Sequence, residues 1–140
     1  MKKQKINHLA VWVSIVLSQV IPLLWFQVFR FTPFYESLGQ RVTQDFSTPA
    51  LYGIGFLAGI VSMYLLEGLF IRLDVDSTQD GLVTGLIIGV VFNLYSLITI
   101  YTFSSYPIQI ALIDFGANAL IFMAAGLVMG SWRKYEEVPA

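Results

Sequence analysis

The sequence predicts an all-α fold, a four-transmembrane-helix integral membrane bundle with a short interfacial segment between helices 1 and 2, and three observations lead there. Of 140 residues, 56% are hydrophobic and 12% charged, with a mean hydropathy of +0.72, whereas soluble domains carry roughly 25% charged residues. The apolar residues gather in four runs, about 6–29, 51–71, 82–103 and 108–132, each closed by charged, proline-bearing or turn-forming residues. Each run is long enough to span: a hydrocarbon core about 30 Å thick needs roughly 20 apolar residues in helix, because unpaired backbone amides are excluded from hydrocarbon. The connections are too short to bury a core of their own, so residues 1–140 read as a single membrane domain.

Taken in order, the first span follows Lys2, Lys3 and Lys5 and holds Pro22, which removes one backbone hydrogen bond and favours a kink. Its apolar run exceeds the usual signal-peptide core and no small-residue cleavage site follows, so it reads as an uncleaved helix. In the connection 30–49, Thr32 before Pro33 marks a helix start. Phe34, Leu38 and Val42 then fall at i, i+4 and i+8, the pattern of a short amphipathic helix lying in the membrane interface as an anchor or a lid. Ser47 or Thr48 caps the second span with Pro49 in its first turn, Asp80 caps the third, and Ser105-Tyr106-Pro107 starts the fourth. Lys2, Lys3, Lys5, Arg72, Arg133 and Lys134 lie on one side of the membrane against Arg30 and Arg41 on the other, which places both termini in the cytoplasm by the positive-inside bias.

In lipid, helices associate where small residues let their backbones approach. Three such faces are spaced four residues apart: Gly55 and Gly59 on the second span, Gly81, Gly85 and Gly89 on the third, and Gly126 and Gly130 on the fourth. Either all three pack within one bundle, or one of them, foremost the ridge of the third span, joins copies into a homo-oligomer. The partners implied are membrane lipid, a second copy or another membrane protein. A net charge of −1 argues against nucleic acid, whose phosphates call for a basic face.

Ionisable groups inside a span are costly and are functional candidates by default. Asp114 lies two turns into the fourth span, with Asn118 at i+4 on the same face and Asn93 near the middle of the third. This trio reads either as a proton- or cation-binding site or as a hydrogen-bonded clamp. Glu67, a turn from the end of the second span, reads as a second candidate or as an interfacial ion pair with Arg72. No metal site is expected, since His8 is the lone histidine and the chain has no cysteine. The segment 74–81 alternates oxygen ligands, but an EF-hand needs glycine at its sixth position and a carboxylate at its twelfth, and here stand Gln79 and Gly85. No cofactor is indicated. The serines, Ser14, Ser18, Ser62, Ser96, Ser104 and Ser105, have no base at a defined spacing, so no enzyme is expected.

Asn7-His8-Leu9-Ala10, Leu24-Trp25-Phe26 with Phe29, and the aromatic 34–39 region resemble the amino-terminal pattern of domain-of-unknown-function family 1761. Gly85, Gly89 and Phe92, Tyr101-Thr102-Phe103, Pro107, Leu112-Ile113-Asp114-Phe115-Gly116 and Met129-Gly130-Ser131-Trp132 resemble its third and fourth helices in order and spacing, while Phe26 stands where the family often has tyrosine. The resemblance implies a small multipass bacterial membrane protein and transfers no activity and no site residue. The functional expectation is a multipass protein of the bacterial cytoplasmic membrane that binds or moves a small solute, ion or proton. The alternative is a structural or accessory subunit docking a larger membrane partner through its glycine-rich faces.

Overall fold

A computed structural model describes residues 2–29, 48–104 and 108–137 of the chain. Its elements are β1 (Lys2–Lys5), α1 (His8–Phe29), α2 (Thr48–Arg72), α3 (Thr78–Ser104), α4 (Ile108–Ser131) and β2 (Lys134–Glu137). All four helices are long and apolar enough to cross a membrane. The interfacial helix expected over 34–42 and the caps expected at Ser47 and Ser105 lie outside the described residues. Helix α1 runs through Pro22 to Phe29.

Helix α4 is the centre of the bundle, packing against both α3 and α1, and α1 in turn packs against α2. The α3–α4 contact is made by glycines. A Cβ on Gly81 would fall on the Gly126 carbonyl oxygen and 2.9 Å from the Gly130 Cα, and one on Gly85 would fall on the Phe122 carbonyl oxygen. Gly89 sits over the Phe122 side chain, and Gly130 over Gly81 and the Ser77 carbonyl. Of the two alternatives for the ridge of the third helix, packing within one bundle or joining a second copy, the structure has the first: α4 of the same chain occupies it. Its backbone is too close to α4 for anything larger than hydrogen at these positions.

The α2–α3 connection is a Schellman turn. Val75 N–H donates to the Phe70 carbonyl at 3.0 Å and Asp74 N–H to that of Ile71 at 3.4 Å, with Asp74 left-handed at φ 51°. Phe70 and Val75, the apolar pair that accompanies this motif, are both buried in the core. Helix α3 begins four residues before the apolar run does, because its N-cap is Ser77 and not Asp80. The Asp80 N–H donates to Ser77 Oγ at 3.1 Å, and the Ser77 hydroxyl donates to the Asp80 carboxylate at 2.6 Å.

The sequence gives no strand signal, yet β1 and β2 form a two-stranded antiparallel ribbon with Lys2 opposite Glu137, Lys3 opposite Glu136, Gln4 opposite Tyr135 and Lys5 opposite Lys134. The Lys3–Glu136 pair sets opposite charges across the strands. Both termini therefore lie at one end of the bundle. The apolar core gathers at that same end, where Ala10, Val11 and Ile15 of α1 meet Met63, Leu66 and Phe70 of α2 and Ala125 and Met129 of α4.

Candidate functional site

The deepest polar cluster sits beneath the terminal ribbon. Glu67 on α2 is 0% exposed. Its Oε2 accepts from Arg133 Nη1 at 3.1 Å, in an ion pair whose side chains are 4% and 1% exposed. Its Oε1 accepts from the backbone N–H of Asn7 at 3.3 Å, and Asn7 Nδ2 donates to the Trp132 carbonyl at 2.6 Å. One carboxylate thus ties together the chain entering α1, the end of α2 and the chain leaving α4. The Phe70 ring lies under the guanidinium, 5.5 Å from Cζ to ring centroid. One turn before Glu67, the Tyr64 hydroxyl and His8 Nδ1 share a hydrogen bond of 3.1 Å.

The expected partner of Glu67 was Arg72, which is exposed. Five residues along a helix is about 140° of rotation, so Arg72 points away from the face that Glu67 presents to the core. Arg133 takes the role instead. The sequence signal was present: a carboxylate inside a span needs a cation, and Arg133 is the first cation after the glycine-lined end of α4. What the sequence lacked was the packing of α4 against α1, which carries residue 133 to the α2 carboxylate.

The cluster is not fully paired. Arg133 Nε and Nη2, Asn7 Oδ1 and Gln4 Oε1 are buried and have no hydrogen-bond partner among the described residues, while Gln4 Nε2 donates to the Val75 carbonyl at 3.3 Å. Beside it, a cleft of about 380 Å³ is lined by Lys3, Gln4, Ile71, Asp74, Asp76 and Tyr135. Among the described residues, no group of three or more His, Asp or Glu side chains is placed to hold a metal ion.

At the other end, Asp114 is half-buried on α4. Asn118 Nδ2 donates to the Asp114 backbone carbonyl at 3.0 Å, and Asn93 Nδ2 donates to the Gly89 carbonyl at 2.5 Å, so both amides bond back onto their own helices. A second cleft of about 380 Å³ lies between α3 and α4 at this end. It is apolar, lined chiefly by Leu94, Ile98, Ala111, Leu112 and Phe115, and none of the three polar candidates lines it. Nearby, Trp25 Nε1 donates to the Ile113 carbonyl at 2.8 Å while its ring fills the space over Gly116.

The remaining glycines differ from one another. Gly59 faces Ser18 and Gln19 of α1, a Cβ there meeting their side chains at 3.1 and 3.0 Å. Gly55 has nothing within 4 Å among the described residues and stands on the exposed outer half of α2, with Tyr52, Ile54, Phe56 and Leu57 around it.

Residues 9–130 match the model of a protein family of unknown function, DUF1761. No curated protein and no solved structure matches the chain.

Proposed function

The chain belongs to this family of unknown function, and since membership brings no activity with it, we propose from the geometry a non-enzymatic multipass protein that binds or moves a small solute, ion or proton. The site assigned to that role is the terminal-end cluster of Glu67, Arg133 and Asn7. The observation that carries the reading is the buried Glu67–Arg133 pair with unpartnered donors and acceptors around it. A clamp evolved only to hold helices would close its hydrogen bonds, because each buried orphan costs about 1–3 kcal/mol. Orphans of both kinds beside a buried charge pair favour a polar guest that completes their hydrogen bonds once the cluster opens, since these atoms are closed off in the resting bundle. The basic residues beside this end support a cytoplasmic placement of both termini in a bacterial membrane.

The test is flux or binding in proteoliposomes, comparing the native protein with the charge-neutral pair Glu67→Gln/Arg133→Gln. Loss of a measured proton, ion or solute movement, with helicity and oligomeric mass unchanged, supports the reading. Undiminished movement through the double variant refutes it. Asp114→Asn tests the other candidate site: loss of movement there, with the double variant undiminished, would move the site to α4.

A second reading is favoured by the open face of α2. Gly55 and its exposed apolar neighbours suit docking by another membrane helix, from a second copy or from a larger partner. Gly55→Leu should strip such a partner during gentle extraction, and its retention would count against this reading.

A further inference from the structure

Arg133 has one edge engaged and one edge bare. Nη1 serves Glu67 and the Phe70 ring covers the guanidinium. Nε and Nη2, the two nitrogens whose N–H bonds point side by side, are both buried and both without partners among the described residues. That parallel pair is the edge by which arginine grips two oxygens of one planar group. An acceptor comes from Asn7, whose backbone holds the other oxygen of the same Glu67 carboxylate and whose Oδ1 is left buried and unpartnered.

Resting on the reading of this cluster as a solute site, we propose that the Nε/Nη2 edge of Arg133, with Asn7 Oδ1, recognises the carboxyl group of a small carboxylic acid. The two carboxyl oxygens accept from the arginine edge and the acid O–H donates to Asn7. Glu67 and Arg133 already neutralise each other, and a third, uncompensated charge beside them is strongly disfavoured. The carboxylate therefore enters with one proton, and the bound species has the composition of the neutral acid. A doubly charged phosphate could also be gripped by this fork, but it would bring two uncompensated charges beside the neutralised pair and so does not suit this charge balance. A lipid headgroup is excluded by depth, since the arginine side chain is 4% exposed and sits beneath the β1–β2 ribbon.

The experiment is a titration of the full chain, in nanodiscs of uncharged lipid, with ¹³C-acetate followed by NMR. Proton uptake is read in parallel by calorimetry in two buffers of different ionisation enthalpy. Saturable binding with one proton taken up per acetate is expected. Arg133→Lys keeps a positive charge opposite Glu67 but has no planar fork, and should weaken acetate at least tenfold with little change in melting temperature. Should that variant not fold, Asn7→Ser removes the amide acceptor and leaves the ion pair, with a several-fold loss expected. Equal affinity in the folded variants, or ordered water alone on the arginine edge in an acetate-soaked structure, overturns the proposal. So does binding that requires anionic lipid. Absence of acetate binding alongside Arg133-dependent binding of another small ion overturns the carboxylic-acid assignment while the solute-site reading stands. Flux that survives Glu67→Gln/Arg133→Gln removes both.

Discussion

Replacing Gly126 by alanine tests whether α3 and α4 are held by direct backbone contact. The new methyl would fall on the Gly81 carbonyl oxygen, 2.9 Å from its carbon and 3.2 Å from the Gly85 Cα. A carbon rests about 3.3–3.6 Å from a carbonyl oxygen, so the helices must part by on the order of 1 Å. A gap of that size forfeits roughly a quarter to a half of each dispersion contact along the seam. The expected overpacking cost is about 1–3 kcal/mol, set against a gain of about 1 kcal/mol for Gly→Ala in helix propensity. Gly55→Ala isolates the second quantity, because a Cβ there meets nothing within 4 Å among the described residues and only the propensity gain applies. Reversible unfolding in mixed micelles, followed by circular dichroism, should place Gly126→Ala below Gly55→Ala by about 1–3 kcal/mol. Equal stability of the two variants would refute the backbone seam.

Two further outcomes follow from the terminal end. Glu67→Leu leaves Arg133 buried and uncompensated and should cost about 3–5 kcal/mol, whereas Glu67→Leu/Arg133→Met should restore most of that loss in a double-mutant cycle. No recovery in the double variant would show that the pair's worth lies in something other than charge compensation. At the α2–α3 turn, Asp74 occupies the left-handed position that glycine prefers. Asp74→Gly should therefore stabilise by several tenths of a kcal/mol and Asp74→Val should destabilise by about 1–2 kcal/mol, read by thermal unfolding.

The four spans were legible because hydrocarbon imposes one rule on every stretch of backbone inside it, so length and hydropathy suffice. Boundaries were less legible where polar residues continue a helix. Helix α3 starts at Thr78 because the Ser77 hydroxyl accepts from the Asp80 N–H and is itself held by the Asp80 carboxylate, and hydropathy is blind to that bond. The glycine spacing identified contact faces but not their partners. Gly81 and Gly126 are 45 positions apart, and only the antiparallel return of α4 along α3 sets them against each other. For the same reason, Arg133 counted only among the basic residues that orient the spans. Its number says where the span ends, while its burial depends on a carboxylate 66 residues earlier. The terminal ribbon left no trace at all: Lys2–Lys5 and Lys134–Glu137 lack the alternating apolar pattern of a strand, and their pairing is imposed by helices that end side by side.

These features divide the bundle into two unlike halves. At the terminal end, α1, α2 and α4 share one core, a buried ion pair crosses between the ends of α2 and α4, and a ribbon covers both. At the opposite end, the outer half of α2 is exposed and an apolar cleft separates α3 from α4. Cooperative stability follows buried contacts, so opening under thermal motion begins at the cleft end and the terminal half stays assembled. A guest held at Arg133 must therefore enter or leave through the ribbon and the short segments beside it, or wait for the Glu67 pair to part. The same residues that hold the bundle closed are the ones with bare hydrogen-bonding edges. Stability and binding at this end are consequently coupled, and a ligand that fills the Arg133 edge should raise the unfolding temperature of the whole bundle as it binds.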